Sequence, residues 1–373
     1  MKRIILLLFF IPAILFAESF YSPTWGFSMD LPEGYEYVEG NGKDRFSFSG
    51  PSEVKFDLIV YNNTYKSIKE LADDANRRLG NSGSADFFTY REKEAALIEL
   101  KFGEYAGWAL CVPLSPSSGA SGAMLLALSY SPVSGIDMNL FHMSALDSVN
   151  PADEDRYYPG PIMDYAYPRG ELKQVQLAQT GASAMIREND AEAAQALIER
   201  EFNILVNYME TPFLKEAWIR YYRFICRDSF DRVTEAAVAL VNIFGGNTAA
   251  SSEAKREFAQ TALTFVQGFE YERNFEGSDF TNLVTAVIEG RGDCDSRAML
   301  WAIILVHAEI QAAMMISPEH GHAMGLADIA GAGARFEANE TKWLVAETTA
   351  KVDIGLIEQE MSDPEAWIGI IFD

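Results

Sequence analysis

The sequence is short of positive charge, cysteine and histidine, and each shortage excludes something. Thirty Lys and Arg face 54 Asp and Glu over 373 residues, a net charge of −24. A surface of that sign repels phosphate backbones and anionic headgroups, so nucleic acid is excluded as a sequence-independent partner. The three cysteines, at 111, 226 and 294, form no CxxC pair and no Cys/His zinc spacing. An odd count also leaves at least one thiol unpaired, even where export permits disulfides. Neither a metal nor an organic cofactor is implied. Internal repeats and low-complexity tracts are absent too. With 49% hydrophobic and 23% charged residues, the composition is globular, and its length suits two or three domains.

Long apolar runs are equally scarce. The strongest, residues 4–16, follows Lys2 and Arg3 and contains Pro12. A spanning helix needs about 20 apolar residues, so this layout predicts a signal peptide over 1–17, cleaved after Ala17. The mature chain is then expected to be periplasmic or secreted, without stable membrane insertion.

Residues 18–150 mix strand and helix patterns. Strands are expected at 26–31, 46–48, 54–61, 95–102, 107–112 and 123–130, and amphipathic helices at 67–79 and 138–148. Four prolines at 151, 159, 161 and 168 predict a linker or extended strap over 151–182. From 183 the pattern turns helical, with helices at 191–209, from Thr211-Pro212 onward, at 231–244 and at 253–272. A shorter one is opened by Ser278 or Asp279 and stopped at Gly290. Cys111 and Cys226 lie in apolar surroundings and read as core residues.

The chemistry concentrates after Gly290, in GRGDCDSRAMLWAIILVHAEI. Arg291-Gly292-Asp293 reads as a turn, and Cys294 opens a helix that is apolar on nearly every face and therefore buried. Asp293, Asp295, Ser296 and Arg297 cluster at its start, which predicts a polar, accessible N-terminus. There the helix field favours thiolate, and free N–H groups could receive an oxyanion, with Gly292, Asp293 and Asp295 supporting the turn. Of the four histidines, 142, 307, 320 and 322, the last opens an expected strand at 322–328. A second apolar strand, 342–349, carries Glu347 near its end. Cysteine at a helix start, histidine on a strand and an acid on the next compose a nucleophile, base and orienting group.

These motifs carry two resemblances. Residues 250–373 resemble the transglutaminase-like superfamily, in the papain-like cysteine-hydrolase fold. The matching features are the Phe-Val-Gln…Tyr segment (265–271), Gly-Asp-Cys (292–294), Gly-His (321–322) and Trp-Leu-Val-Ala-Glu-Thr-Thr (343–349). The resemblance implies Cys294 as nucleophile, His322 as base and Glu347 as the acid. Two departures stand out: Glu replaces the usual Asp, and Ala323-Met324 replaces the aromatic residue that often follows the histidine. Residues 18–150, with GFSMDLPEGY at one end and ALDSV at the other, resemble the PsbP-like α/β sandwich. The expected class is α+β: a PsbP-like sandwich, then a helical region leading into a transglutaminase-like domain over 183–373.

Alternatives stay open beside this. His320 is the rival base, Asp328 and Asp353 are fallback acids, and His307 reads as a core residue. Cys294 could be a small core residue, and Glu347 a solvated strand end. The expected activity is an exported cysteine hydrolase acting on amide bonds of peptides or proteins through a thioester. The competing expectation is an inactive relative that serves as a binding or envelope-assembly module.

Overall fold

In the computed structural model, residues 20–80, 83–115, 122–152, 157–246, 251–273 and 277–372 are described. The expected signal peptide lies outside them. Among the described residues no helix is long and apolar enough to cross a membrane. The class is α+β.

The first part is built on one antiparallel sheet. After the short pair β1 (Phe20–Tyr21) and β2 (Ser28–Met29) come β3 (Glu36–Gly40), β4 (Arg45–Ser49), β5 (Lys55–Asn62) and helix α1 (Ile68–Arg78). Then follow β6 (Ala85–Tyr90), β7 (Lys93–Phe102), β8 (Tyr105–Pro113), β9 (Ala123–Pro132) and α2 (Asn139–Asp147). The seven long strands order as β3-β4-β5-β9-β8-β7-β6. Alternation along each strand divides the apolar residues between two faces. Ile98, Ala109 and Cys111 pack under α1, while Leu97, Leu110 and Val112 face Leu146, Val149 and Phe27. β3 and β6 escaped the sequence reading. Every residue of β3 is exposed, so that edge strand has no buried face to write an alternation.

The expected linker is corrected. Residues 161–166 form helix α3 (Pro161–Ala166), and Leu172–Gln176 is a strand, β10, paired with β11 (Ser183–Arg187). Proline is tolerated in the first helical turn, where its missing N–H is not needed. The Asp147 carboxylate accepts the Ile162 and Met163 N–H groups at 2.8 and 3.0 Å, and the Tyr90 hydroxyl donates to Pro159 O at 3.1 Å. Pro161, Ile162, Met163 and Asp164 are buried, so the segment is packed structure.

Next come α4 (Asp190–Val206), α5 (Leu214–Ile243), α6 (Ser252–Gln267), β12 (Glu270–Tyr271), α7 (Leu283–Glu289), β13 (Arg291–Gly292) and α8 (Cys294–His307). Where two helices were expected before Gly245, α5 runs unbroken for 30 residues. Its polar middle is paired internally. Buried Arg232 bonds Asp228 at 2.8 and 2.9 Å and Asp190 at 2.8 Å, and Arg227 donates to the carbonyls of residues 147–149. The cap of α7 is Asn282, not Ser278 or Asp279, and Gly290 ends it in the left-handed region at φ 70°. Residues 291–292, expected as part of a turn, pair in parallel with 270–271.

The last sheet is antiparallel: β14 (Ala312–Ser317), β15 (His322–Ala327), β16 (Arg335–Ala338), β17 (Thr341–Ala346) and β18 (Ile368–Ile370), in the order β16-β17-β15-β14-β18. One face packs on α8, which is buried from Cys294 through Leu305. Gly325 permits the close approach, since a Cβ there would strike the Trp301 ring. The main core joins Val54, Met138 and Phe141 to α4, α5 and α8, so it crosses the expected boundary at 150.

Candidate active site

The site assembles where α8 begins, beside the first residue of β15 and the end of β17. Asp293 caps α8, its Oδ1 accepting the Ser296 N–H at 2.7 Å and its Oδ2 the Thr281 N–H at 3.2 Å. Gly292 leaves room for the Ser296 hydroxyl, which a Cβ would strike. Buried Arg297 donates to Gly292 O and Phe269 O at 3.1 and 2.9 Å, tying β12 and β13 to α8. The accessible helix start expected from the sequence is therefore corrected. Asp293, Asp295, Ser296 and Arg297 are all buried, with Thr281, Tyr222 and Phe269 among their partners.

Cys294 is 2% exposed. Ala323 N–H donates to its sulfur, and the hydroxyl of half-exposed Tyr271 meets the sulfur as well. Burial pushes the thiol pKa up, and Asp295 and Asp293 push it further; the Ala323 hydrogen bond opposes them without prevailing. The expectation that the helix N-terminus would favour thiolate is corrected accordingly. Burial likewise raises both aspartates, and Tyr222 of α5 bonds Asp295. Cys111 and Cys226 are buried and free, and burial alone pushes Cys111 up to about 12.

His322 and Glu347 are brought together across neighbouring strands. His322 Nε2 lies 2.8 Å from Glu347 Oε2. The other carboxylate oxygen accepts the Thr349 N–H and hydroxyl, both at 2.6 Å, and the Ala350 N–H at 3.3 Å. Burial acts to raise Glu347, but the His322 hydrogen bond and charge, with the Thr349 donors, outweigh it and hold the carboxyl down to about 2. Asp328 and Asp353 are exposed, and the acid on the imidazole is Glu347. His320 sits in the turn before β15, its N–H bonded to Ser317 Oγ at 3.1 Å and its Nε2 buried without a partner. His307, at the end of α8, is half-buried and stacks on Phe230 at 4.7 Å.

Sequence reasoning missed three neighbours. Trp367 presents its ring to His320 and His322 at 5.8 and 6.3 Å, Tyr271 meets the sulfur, and Gln267 grips the acid's backbone. The Tyr and Gln stood inside a noted motif, but nothing local marked what they touch. Asp279, Asp293 and Asp295 bring carboxylate oxygens within 4.8 Å of one another. That oxygen-only set would suit a hard cation rather than zinc. In the structure Arg273 donates to Asp279 at 2.6 Å.

No family model and no curated protein matches the chain. Two solved structures are similar at low level. A Bacteroides thetaiotaomicron VPI-5482 protein is 12% identical, with 79% of this chain and 97% of that one covered, at a TM-score of 0.27. A Parabacteroides distasonis ATCC 8503 protein, provisionally described as a protease, is 9% identical, with 86% and 70% covered, at 0.21.

Proposed function

We propose that the chain is an exported, transglutaminase-like cysteine hydrolase that cleaves amide bonds of peptides or proteins, with a PsbP-like sandwich as its N-terminal part. The observation that carries this reading is the 2.8 Å pair of His322 Nε2 and Glu347 Oε2, one residue from the Ala323 N–H that meets the Cys294 sulfur. An ionised Glu347 accepts from Nε2–H, which fixes the imidazole tautomer and leaves Nδ1 as the basic nitrogen. Nδ1 takes the thiol proton as sulfur attacks the carbonyl carbon, and the oxyanion forms against the α8 N-terminus. The imidazolium returns that proton to the departing amine. Water then adds to the thioester, losing a proton to Nδ1, and the acid product leaves as the thiol is restored. Net charge favours cationic or neutral substrates over anionic ones.

A second reading, an inactive binding or assembly module, is favoured by the 2% exposure of Cys294 and by the carboxylates that disfavour its thiolate. Labelling with iodoacetamide separates the two. The hydrolase reading requires Cys294 to label far faster than Cys111 and Cys226, and to lose that advantage in His322→Ala. Equal, slow labelling of all three thiols overturns the hydrolase reading.

A further inference from the structure

Helix α6 turns one polar edge to the loop that carries the acid. Arg256, Gln260 and Gln267 recur at i, i+4 and i+11, so they share one side of the helix. Arg256 donates to Ala332 O and Ile354 O at 3.2 and 3.0 Å, and Gln260 Oε1 accepts the Ile354 N–H at 2.8 Å. Buried Gln267 gives its side-chain amide to Glu347 O at 2.8 Å and Val352 O at 2.9 Å. Its two bonds pinch the ends of the segment 347–352. Inside the pinch, Thr349 and Ala350 donate to the Glu347 carboxylate and fix where its other oxygen points. The same helix is bolted to the nucleophile's helix, because Trp301 Nε1 donates to Ala259 O at 3.0 Å.

We propose that Gln267 is a positioning residue for the catalytic pair, holding the Glu347 carboxylate against His322 through the backbone of 347–352. The inference rests on the hydrolase reading above. Gln267 touches no reacting atom; it sets the reference frame in which the carboxylate meets the imidazole. A shift of about 1 Å in such a frame is enough to cost on the order of a hundredfold in rate.

The test uses the full chain and iodoacetamide as the probe, with alkylation of Cys294 followed by mass spectrometry across the neutral pH range. Gln267→Met keeps the volume and removes both donors. It is expected to lower the whole Cys294 alkylation profile by about tenfold, because the imidazole that takes the thiol proton loses its alignment, while Cys111 and Cys226 keep their rates. Ser67→Ala, which removes the N-cap of α1 on the far face of the sandwich, is the control for general loosening and should leave the profile in place. Should Gln267→Met not fold, Gln267→Asn, with its amide one methylene short, serves in the same comparison. Superimposable profiles for wild type and variant overturn the inference, as does an equal drop in Ser67→Ala. If wild-type Cys294 alkylates no faster than Cys111 and Cys226, the hydrolase reading fails and takes this inference with it.

Discussion

Replacing Glu347 by glutamine tests the site at its best-defined point. The carboxylate accepts from Thr349 twice, from Ala350 once, and pairs with His322 Nε2. Its pKa falls from 4.5 to about 2. At 1.36 kcal/mol per pH unit, that depression corresponds to about 3 kcal/mol of folding stability for a group this well buried. The folded-state value lies below the unfolded one. The contribution is therefore complete above about pH 4.5 and is lost as pH falls towards 2.

Urea unfolding of wild type and Glu347→Gln, measured from neutral pH down to acid, is expected to show a gap of about 3 kcal/mol that closes across that window. Catalytic consequences follow from the tautomer. A glutamine amide turned towards Nε2 would make that nitrogen an acceptor and put the proton on Nδ1, which then cannot take one from the thiol. Cys294 alkylation should drop by about 10²–10⁴-fold. A stability gap that does not change with pH would refute the account of the carboxylate. Unchanged alkylation would refute the tautomer argument.

Further expectations concern the frame around the site. His142 is buried between the Ser129 and Ser131 hydroxyls at 2.9 and 3.0 Å, and burial holds it down to about 4. Because the unfolded chain binds that proton first, wild type should lose about 3 kcal/mol between about pH 6.5 and 4, and His142→Gln should not, as read by urea unfolding. Arg232→Ala strands the Asp228 carboxylate in the core, leaves Asp190 to Arg169 alone, and should cost about 3–5 kcal/mol by the same measurement. Gly325→Val drives a side chain into the Trp301 ring, so a loss of at least about 1–3 kcal/mol is expected. A neutral result would mean that α8 can draw away from β15.

What was legible in the sequence was whatever is written locally. The apolar run of α8, the strand opened by His322 and the strand ending before Glu347 announce themselves by pattern, and they lie in the expected order. Helix α1 is marked by its spacing and capped by Ser67, whose hydroxyl accepts the Glu70 N–H. What was illegible depends on partners far along the chain. The middle of α5 looked like a break because Arg227 and Arg232 are charged, and only structure supplies carbonyls 147–149 and Asp190 to receive them. Residues 161–166 looked proline-broken because the carboxylate that caps them, Asp147, stands fourteen residues earlier. Gln267 acts on a carbonyl eighty residues away, so no short motif could expose its role.

The largest reversal concerns the electrostatics of Cys294, and it sharpens the chemistry. Clustered polar residues at a helix start suggested exposure, and exposure at a helix N-terminus suggested a stabilised thiolate. Once Thr281, Tyr222, Gly292 O and Phe269 O satisfy those residues from inside, the cluster becomes a buried one, and burial, with Asp295 and Asp293 adding to it, raises the thiol. In the hydrolase reading, a thiol raised in this way has no preformed ion pair to lean on. Its proton must leave as the carbon–sulfur bond forms, which places the demand on the acceptor. What the acceptor's side offers is Glu347, ionised far below neutral pH, accepting from Thr349, and paired with the histidine at Nε2, which leaves Nδ1 for the proton. In the hydrolase reading, therefore, the driving force for proton transfer sits in the His322–Glu347 pair and the loop that Gln267 holds, rather than in the thiol.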